Sequence, residues 1–114
     1  RKTVLIMPQF AANIGDGWLY SNIPFLERIG AASKDGFKSV ESGATQYNFD
    51  VNKIKSQLDK HNMKWVLVNT HSLPEYESRK DRKYHAIYAD EKELFKKSLL
   101  RAYEYSLVLN KEMA

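Results

Sequence analysis

Apolar positions along the chain switch repeatedly between short continuous runs and helical spacing. Gln9 to Ala12 is a brief apolar-leaning run that ends at Asn13 and is interrupted by Gly15, Asp16 and Gly17, which predicts a strand entering a loop. Ser21 and Asn22 are capping residue types and Pro24 suits a first helical turn. Leu26, Ile29, Ala32 and Ser33 then follow at helical spacing until Gly36 supplies a left-handed stop. Phe37 to Glu41 reads as a second strand with Val40 inside it and Glu41 at its end, closed by Ser42, Gly43 and Ala44. Asp50 is a good N-cap for a second helix that keeps Val51, Ile54 and Leu58 on one face and stops at His61 and Asn62.

Lys64 to Asn69 is nearly continuous in apolar residues, the pattern of a strand covered on both faces. From Thr70 to Ala89 the chain is polar and broken, longer than an ordinary connection. Asp90 with Glu93 then offers a capping box for a long third helix carrying Leu94, Phe95, Leu99, Ala102, Tyr103 and Leu107. Strand and helix thus alternate three times, which implies an α/β chain with parallel strands. Three βα units are fewer than a closed barrel needs, and few for a doubly wound sheet. We therefore expect residues 1–114 to form a single, incomplete domain.

Composition changes this picture little. With 43% hydrophobic and 28% charged residues the chain has the balance of a folded globular protein. It has no cysteine, which removes thiolate metal sites, cysteine nucleophiles and disulfides, and fits a reducing, cytoplasmic setting. The apolar run near Arg1 to Met7 is too short for a signal-peptide core, and no membrane association is expected. The net charge of +4 has one dense spot, Arg79 to Lys83, which either attracts phosphate or an acidic metabolite or is simply a solvated loop.

In either parallel architecture the working residues lie at the carboxyl ends of the strands. That rule selects Asn13, Glu41, Asn69, Thr70 and His71. Glu41 can be an acid, a base, a metal ligand or a hydroxyl acceptor, or merely the partner of a nearby cation. Asn69 can grip a polar substrate through its amide or cap a turn. His71 can be a ligand or base, although a lone loop histidine is more often neither. His61 falls at a helix C-terminus, where the dipole favours imidazolium, and His85 has no assigned place. Tyr103 and Trp65 read as packing residues, whereas Trp18, beside Gly17, is kept as a pocket wall. No phosphate loop, HExxH motif or nucleophile elbow is present.

Several phrases resemble the hydroxypyruvate isomerase family in order along the chain. Met7-Pro8-Gln9-Phe10-Ala11-Ala12-Asn13 is similar to its opening strand. Trp18-Leu19-Tyr20, Ile23 to Arg28, Ala31-Ala32 and Gly36 to Glu41 are similar to its first helix and second strand. Val66 to Thr70 resembles its third strand, and Phe95 to Tyr105 its third helix. The resemblance implies a xylose-isomerase-like TIM barrel, of which this chain holds about three N-terminal βα units, and an aldose-ketose type isomerisation of hydroxypyruvate to tartronate semialdehyde. It also implies a divalent metal cation and a glutamate pair on later strands, so that neither the metal ligands nor catalytic residues have counterparts here. What carries over is the near wall of the pocket, with Asn13, Glu41 and Asn69 as substrate-binding residues; His71 joins them as a substrate-binding candidate from its place after the third strand alone.

The chain departs from the family after the third strand, where His71-Ser72-Leu73-Pro74 replaces a Gly- and Pro-rich loop, and at Glu91, where the family has Arg. Insertions at Gly15 to Gly17 and Ala44 to Tyr47 alter the first two active-face loops. Taken together these features lead us to expect a barrel fragment inactive alone, with a small keto-acid or sugar as substrate. A noncatalytic interaction module that docks a partner through the third strand or third helix is the alternative, and the open sheet edges of a fragment separately predict self-association. An endonuclease-IV-like DNA-repair relative is a third reading, disfavoured by the lack of a basic stripe with interleaved aromatics.

Overall fold

The computed structural model describes residues 9–78, 80 and 91–111. Three strands, β1 (Ala11–Asn13), β2 (Ser39–Ser42) and β3 (Lys64–Val68), form one sheet in the order β1-β2-β3. Both pairings are parallel, with Ala12 opposite Val40 and Val40 opposite Trp65, and the β2–β3 register shifts between Val40 and Ser42. Among the described residues four α-helices accompany them: α1 (Phe25–Lys34), α2 (Val51–His61), a one-turn α3 (Pro74–Glu77) and α4 (Lys92–Leu109). A 3₁₀ turn at Thr45–Asn48 and α3 are local structure inside stretches that carry no apolar period, which is why the sequence pattern shows neither.

Each long element has a local cause. In α1, Phe25, Arg28, Ile29 and Ala32 fall on one stripe and are buried. The helix stops before Gly36, whose φ of 97° is open to glycine at little cost. The anticipated Ser21 or Asn22 cap does not form: the helix begins at Phe25, so the N-cap position falls on Pro24, which makes no side-chain bond, and the Ser21 hydroxyl donates to the Trp18 carbonyl at 2.7 Å. Asp50 does cap α2, its carboxylate accepting from the Asn52 amide at 2.8 Å, and Asn62 ends the helix in the left-handed region at φ 52°. Ile54 and Leu58 project from α2 into the core and are fully buried.

The core lies between the sheet and the helices, joining Ala12, Ile14, Val40 and Trp65 to Phe25, Ile29, Ala32, Ile54, Leu58, Met63 and Leu109. Phe25 stacks on Phe49 at 4.8 Å between ring centroids, closing the core near the second loop. α1 packs on α2 and α2 on α4, so the helices form one layer on one face of the sheet.

Two expectations fail for the same reason. β3 is not covered on both faces: Trp65 is buried, but Val66 and Leu67 are 52% and 49% exposed, since among the described residues the helices shield one face only. Likewise α4 meets the core through Ser98, Ala102 and Leu109 rather than through Phe95, Leu99, Tyr103 and Leu107, which are exposed. The helix is apolar on its core face and also along a neighbouring flank, and periodicity alone does not say which one faces the sheet. Tyr103 is therefore not a packing residue, whereas Trp65 is. Asp90, the expected cap of this helix, His85 and most of the Arg79 to Lys83 cluster lie outside the described residues. Glu91 stands at the N-cap position without a side-chain cap bond.

Candidate functional site

The parallel sheet brings the three strand tips to one end of the molecule. Ala12 and Val40 face the helices, so alternation turns their neighbours Asn13 and Glu41, themselves in register, toward the opposite face. Both are partly exposed there. The Asn13 side-chain oxygen accepts from the Gly15 amide at 3.0 Å, folding the chain sharply as it leaves β1. A Cβ on Gly15 would lie 3.2 Å from Asn13 Oδ1 and 3.2 Å from Ser42 Oγ, so glycine permits the two strand ends to close up. Asn13 thus holds a turn and keeps its amide NH₂ donors for another partner.

Hydrogen bonds lace the tips together. The Ile14 amide donates to the Glu41 carbonyl at 2.9 Å, and the Asp16 amide donates to Thr45 Oγ1 at 3.1 Å, joining the first loop to the second. Asn69 Nδ2 donates to the Ser42 carbonyl at 3.4 Å, and the Tyr47 hydroxyl donates to the Asn69 carbonyl. Asn13, Glu41 and Asn69 therefore belong to one laced rim. His71 stands apart from it: its side chain is exposed, and its carbonyl accepts from Arg101 Nη2 at 2.7 Å. Trp18 is 67% exposed and lines neither the cleft at Tyr47 and Arg101 nor the one at Phe10 and Phe37.

Beside the rim lies a cleft of about 240 Å³ lined by residues of the second loop, the segment after β3 and α4, including Thr45, Tyr47, Asn48, His71, Ser72 and Arg101. The Arg101 guanidinium sits 3.9 Å over the Tyr47 ring, and Tyr47 meets Tyr105 edge to face at 4.8 Å. Burial raises both phenol pKa values and the Arg101 charge partly opposes the rise, so both phenols are neutral at pH 7. Sequence reasoning missed Tyr47 and Arg101. The available signal was an arginine between Leu100 and Ala102, inside the apolar arc of a helix, where a cation requires a specific acceptor.

Three buried polar atoms near these loops, Ser42 Oγ, Gln46 Oε1 and Arg101 Nε, have no hydrogen-bond partner. Among the described residues no three His, Asp or Glu side chains cluster closely enough to hold a metal ion. The described residues thus do not build a divalent-metal site, and no step is assigned to one. No described helix is long and apolar enough to cross a membrane. The strand ends thus bring one carboxylate and two amides to the same end of the sheet, groups able to bond hydroxyl and carbonyl oxygens.

No protein-family model matches the chain. It is 45% identical over 64 residues to a 2-oxo-tetronate isomerase of Haemophilus influenzae, a match covering 56% of this chain and 24% of that protein. It is 38% identical over 63 residues to a Danio rerio protein named as a candidate hydroxypyruvate isomerase, covering 54% and 22% respectively. Among solved structures, an AP endonuclease, family 2, from Brucella melitensis superposes with a TM-score of 0.75 at 35% identity, over 91% of this chain and 38% of that one. The matched stretch spans about a quarter of the length of the two isomerase relatives. The chain is thus homologous to the hydroxypyruvate and 2-oxo-tetronate isomerases over their N-terminal part, and its three parallel βα units match a portion of a xylose-isomerase-like barrel.

Proposed function

We propose that this chain supplies the first three βα units of a barrel isomerase that interconverts a short 2-oxo acid with its adjacent-carbon isomer, hydroxypyruvate and tartronate semialdehyde being the leading pair. The observation that carries this reading is the identity to proteins named as such isomerases, which extends over more than half of the chain. In it the Asn13 and Asn69 amides hold substrate oxygens, and Glu41 accepts a hydrogen bond from a substrate hydroxyl. The proton-moving glutamates and any divalent cation, with its ligands, come from later barrel strands. Glu41 therefore orients substrate rather than transferring the proton, and a charged bond of this kind is worth about 10- to 100-fold in rate if it tightens in the transition state.

The test assays the 114-residue chain with hydroxypyruvate and magnesium or manganese, alone and mixed with the remaining barrel of the Haemophilus influenzae isomerase. No turnover alone and turnover in the mixture, lowered about 10- to 100-fold by Glu41→Gln, is the expected result. Robust turnover by the chain alone, or a Glu41→Gln mixture as active as the parent, would overturn the assignment. A second reading follows from the AP endonuclease neighbour. It requires salt-dependent binding of the chain to an abasic duplex, tighter than to intact DNA; undetectable binding removes it.

A further inference from the structure

The ladder between β2 and β3 ends at the pair Ser42–Val68, so Asn69 is the first residue past it. From Asn69 to Leu73 the chain has no regular secondary structure. Asn69 Nδ2 reaches the Ser42 carbonyl at 3.4 Å, a long bond that by itself holds the amide loosely. A second tie runs through the Asn69 backbone, whose carbonyl accepts from the Tyr47 hydroxyl. Burial raises the Tyr47 pKa, so the phenol keeps its proton at neutral pH and can donate.

Tyr47 can serve as an anchor because α4 clamps its ring. The Arg101 guanidinium lies 3.9 Å over the ring centroid, and Tyr105 meets the ring edge to face at 4.8 Å. Both clamps are themselves tied down: Arg101 Nη2 donates to the His71 carbonyl at 2.7 Å, and the Tyr105 hydroxyl donates to the Phe49 carbonyl at 2.7 Å. Phe49 in turn stacks on Phe25 of the core. A phenol braced against the core thus ends on the backbone of a rim residue. Tyr47 also belongs to the Ala44 to Tyr47 segment, where the chain departs from the isomerase phrases. We propose that Tyr47 is a positioning residue that acts through Asn69: its hydroxyl fixes the tip after β3 so that the Asn69 amide meets a substrate oxygen in one orientation. What Asn69 holds rests on the isomerase reading, whereas the coupling of Tyr47 to Asn69 stands on geometry. Pre-orienting a binding group lowers the ordering cost of binding, and its loss falls on KM when the bond is equally strong in ground and transition states.

The test compares Tyr47→Phe, Asn69→Ala and the double variant, by NMR of the 114-residue chain and by the hydroxypyruvate assay with the remaining Haemophilus influenzae barrel in saturating excess. Tyr47→Phe keeps the clamped ring and removes only the hydroxyl. It should raise KM about 2- to 10-fold, the worth of one hydrogen bond, with kcat within about twofold of the parent. In the double variant KM should equal that of Asn69→Ala alone, since a residue acting through Asn69 adds nothing once the amide is gone. Tyr20→Phe, which gives up a hydroxyl bond to Asp35 rather than to the rim, should leave KM unchanged. In the spectra, Tyr47→Phe should move the Asn69 side-chain amide signals and leave those of Asn13 in place. Nuclear Overhauser contacts from the Tyr47 ring to Asn69 in the parent check the contact without any substitution. Multiplying effects in the double variant, a KM rise with Tyr20→Phe as large as that with Tyr47→Phe, unmoved Asn69 signals or missing ring contacts would each overturn the proposal. A parent mixture without turnover contradicts the isomerase reading instead, and the spectra then decide whether Tyr47 sets Asn69.

Discussion

At the scale of single residues, Tyr20 and Arg28 organise the first loop. Tyr20 adopts a φ of 63°, a left-handed conformation costly for a side chain of its kind, and its hydroxyl donates to Asp35 Oδ2 at 2.7 Å. Partial burial and then this bond to the Asp35 carboxylate push its pKa up to about 12 from 10.0. The folded state therefore holds a proton that the unfolded chain gives up, so Tyr20 contributes stability below pH 10 that drains away as pH climbs toward 12. Tyr20→Phe should cost about 1 kcal/mol at pH 7 by urea denaturation and show a shallower stability loss over the alkaline range. Equal alkaline slopes in parent and variant would refute the linkage. Arg28→Met leaves the carbonyls of Ile14, Ile23 and Ser21 without their donor and should cost about 2–4 kcal/mol. Asp16→Asn, with a carboxylate side chain 71% exposed, should cost under about 1 kcal/mol.

Between elements, the close approach of α1 and α2 rests on one glycine. A Cβ at Gly30 would fall 2.9 Å from His61 Nε2, so Gly30→Ala gains helix propensity but must displace the imidazole. We expect that substitution to be nearly neutral alone and to stabilise by about 1 kcal/mol in a His61→Ala background, measured as a double-mutant cycle. Additive effects would show that the ring moves aside freely. Asp50→Ala should cost about 1 kcal/mol through the lost cap of α2. These are also the features the sequence made legible. The Asp50 cap, the Gly36 stop, the Ile54 and Leu58 stripe and the three-fold βα alternation are local or periodic, and all stand in the structure. What could not be read depends on partners distant along the chain: which flank of α4 meets the sheet, and the stacking of Arg101 on Tyr47 that builds the cleft.

For the whole molecule, exposed apolar surface is concentrated on β3 and on the outer flank of α4, where Val66, Leu67, Leu99, Leu100, Tyr103 and Leu107 are all 44% exposed or more. Such a surface invites association. Sedimentation should find concentration-dependent self-association that Leu99→Glu and Leu107→Glu reduce; a monodisperse monomer at high concentration would contradict this. Parallel strands carry Asn13, Glu41 and Asn69 to the same rim, and the proposed function depends on that arrangement. Nuclear Overhauser contacts across the sheet in isotope-labelled protein test that arrangement most directly, since opposed α-protons come close only in antiparallel pairs. Contacts linking Ala12 with Val40 and Val40 with Trp65, without strong α-proton to α-proton contacts among these segments, are the expected result. Strong α-proton to α-proton contacts between any two of the strands would contradict it.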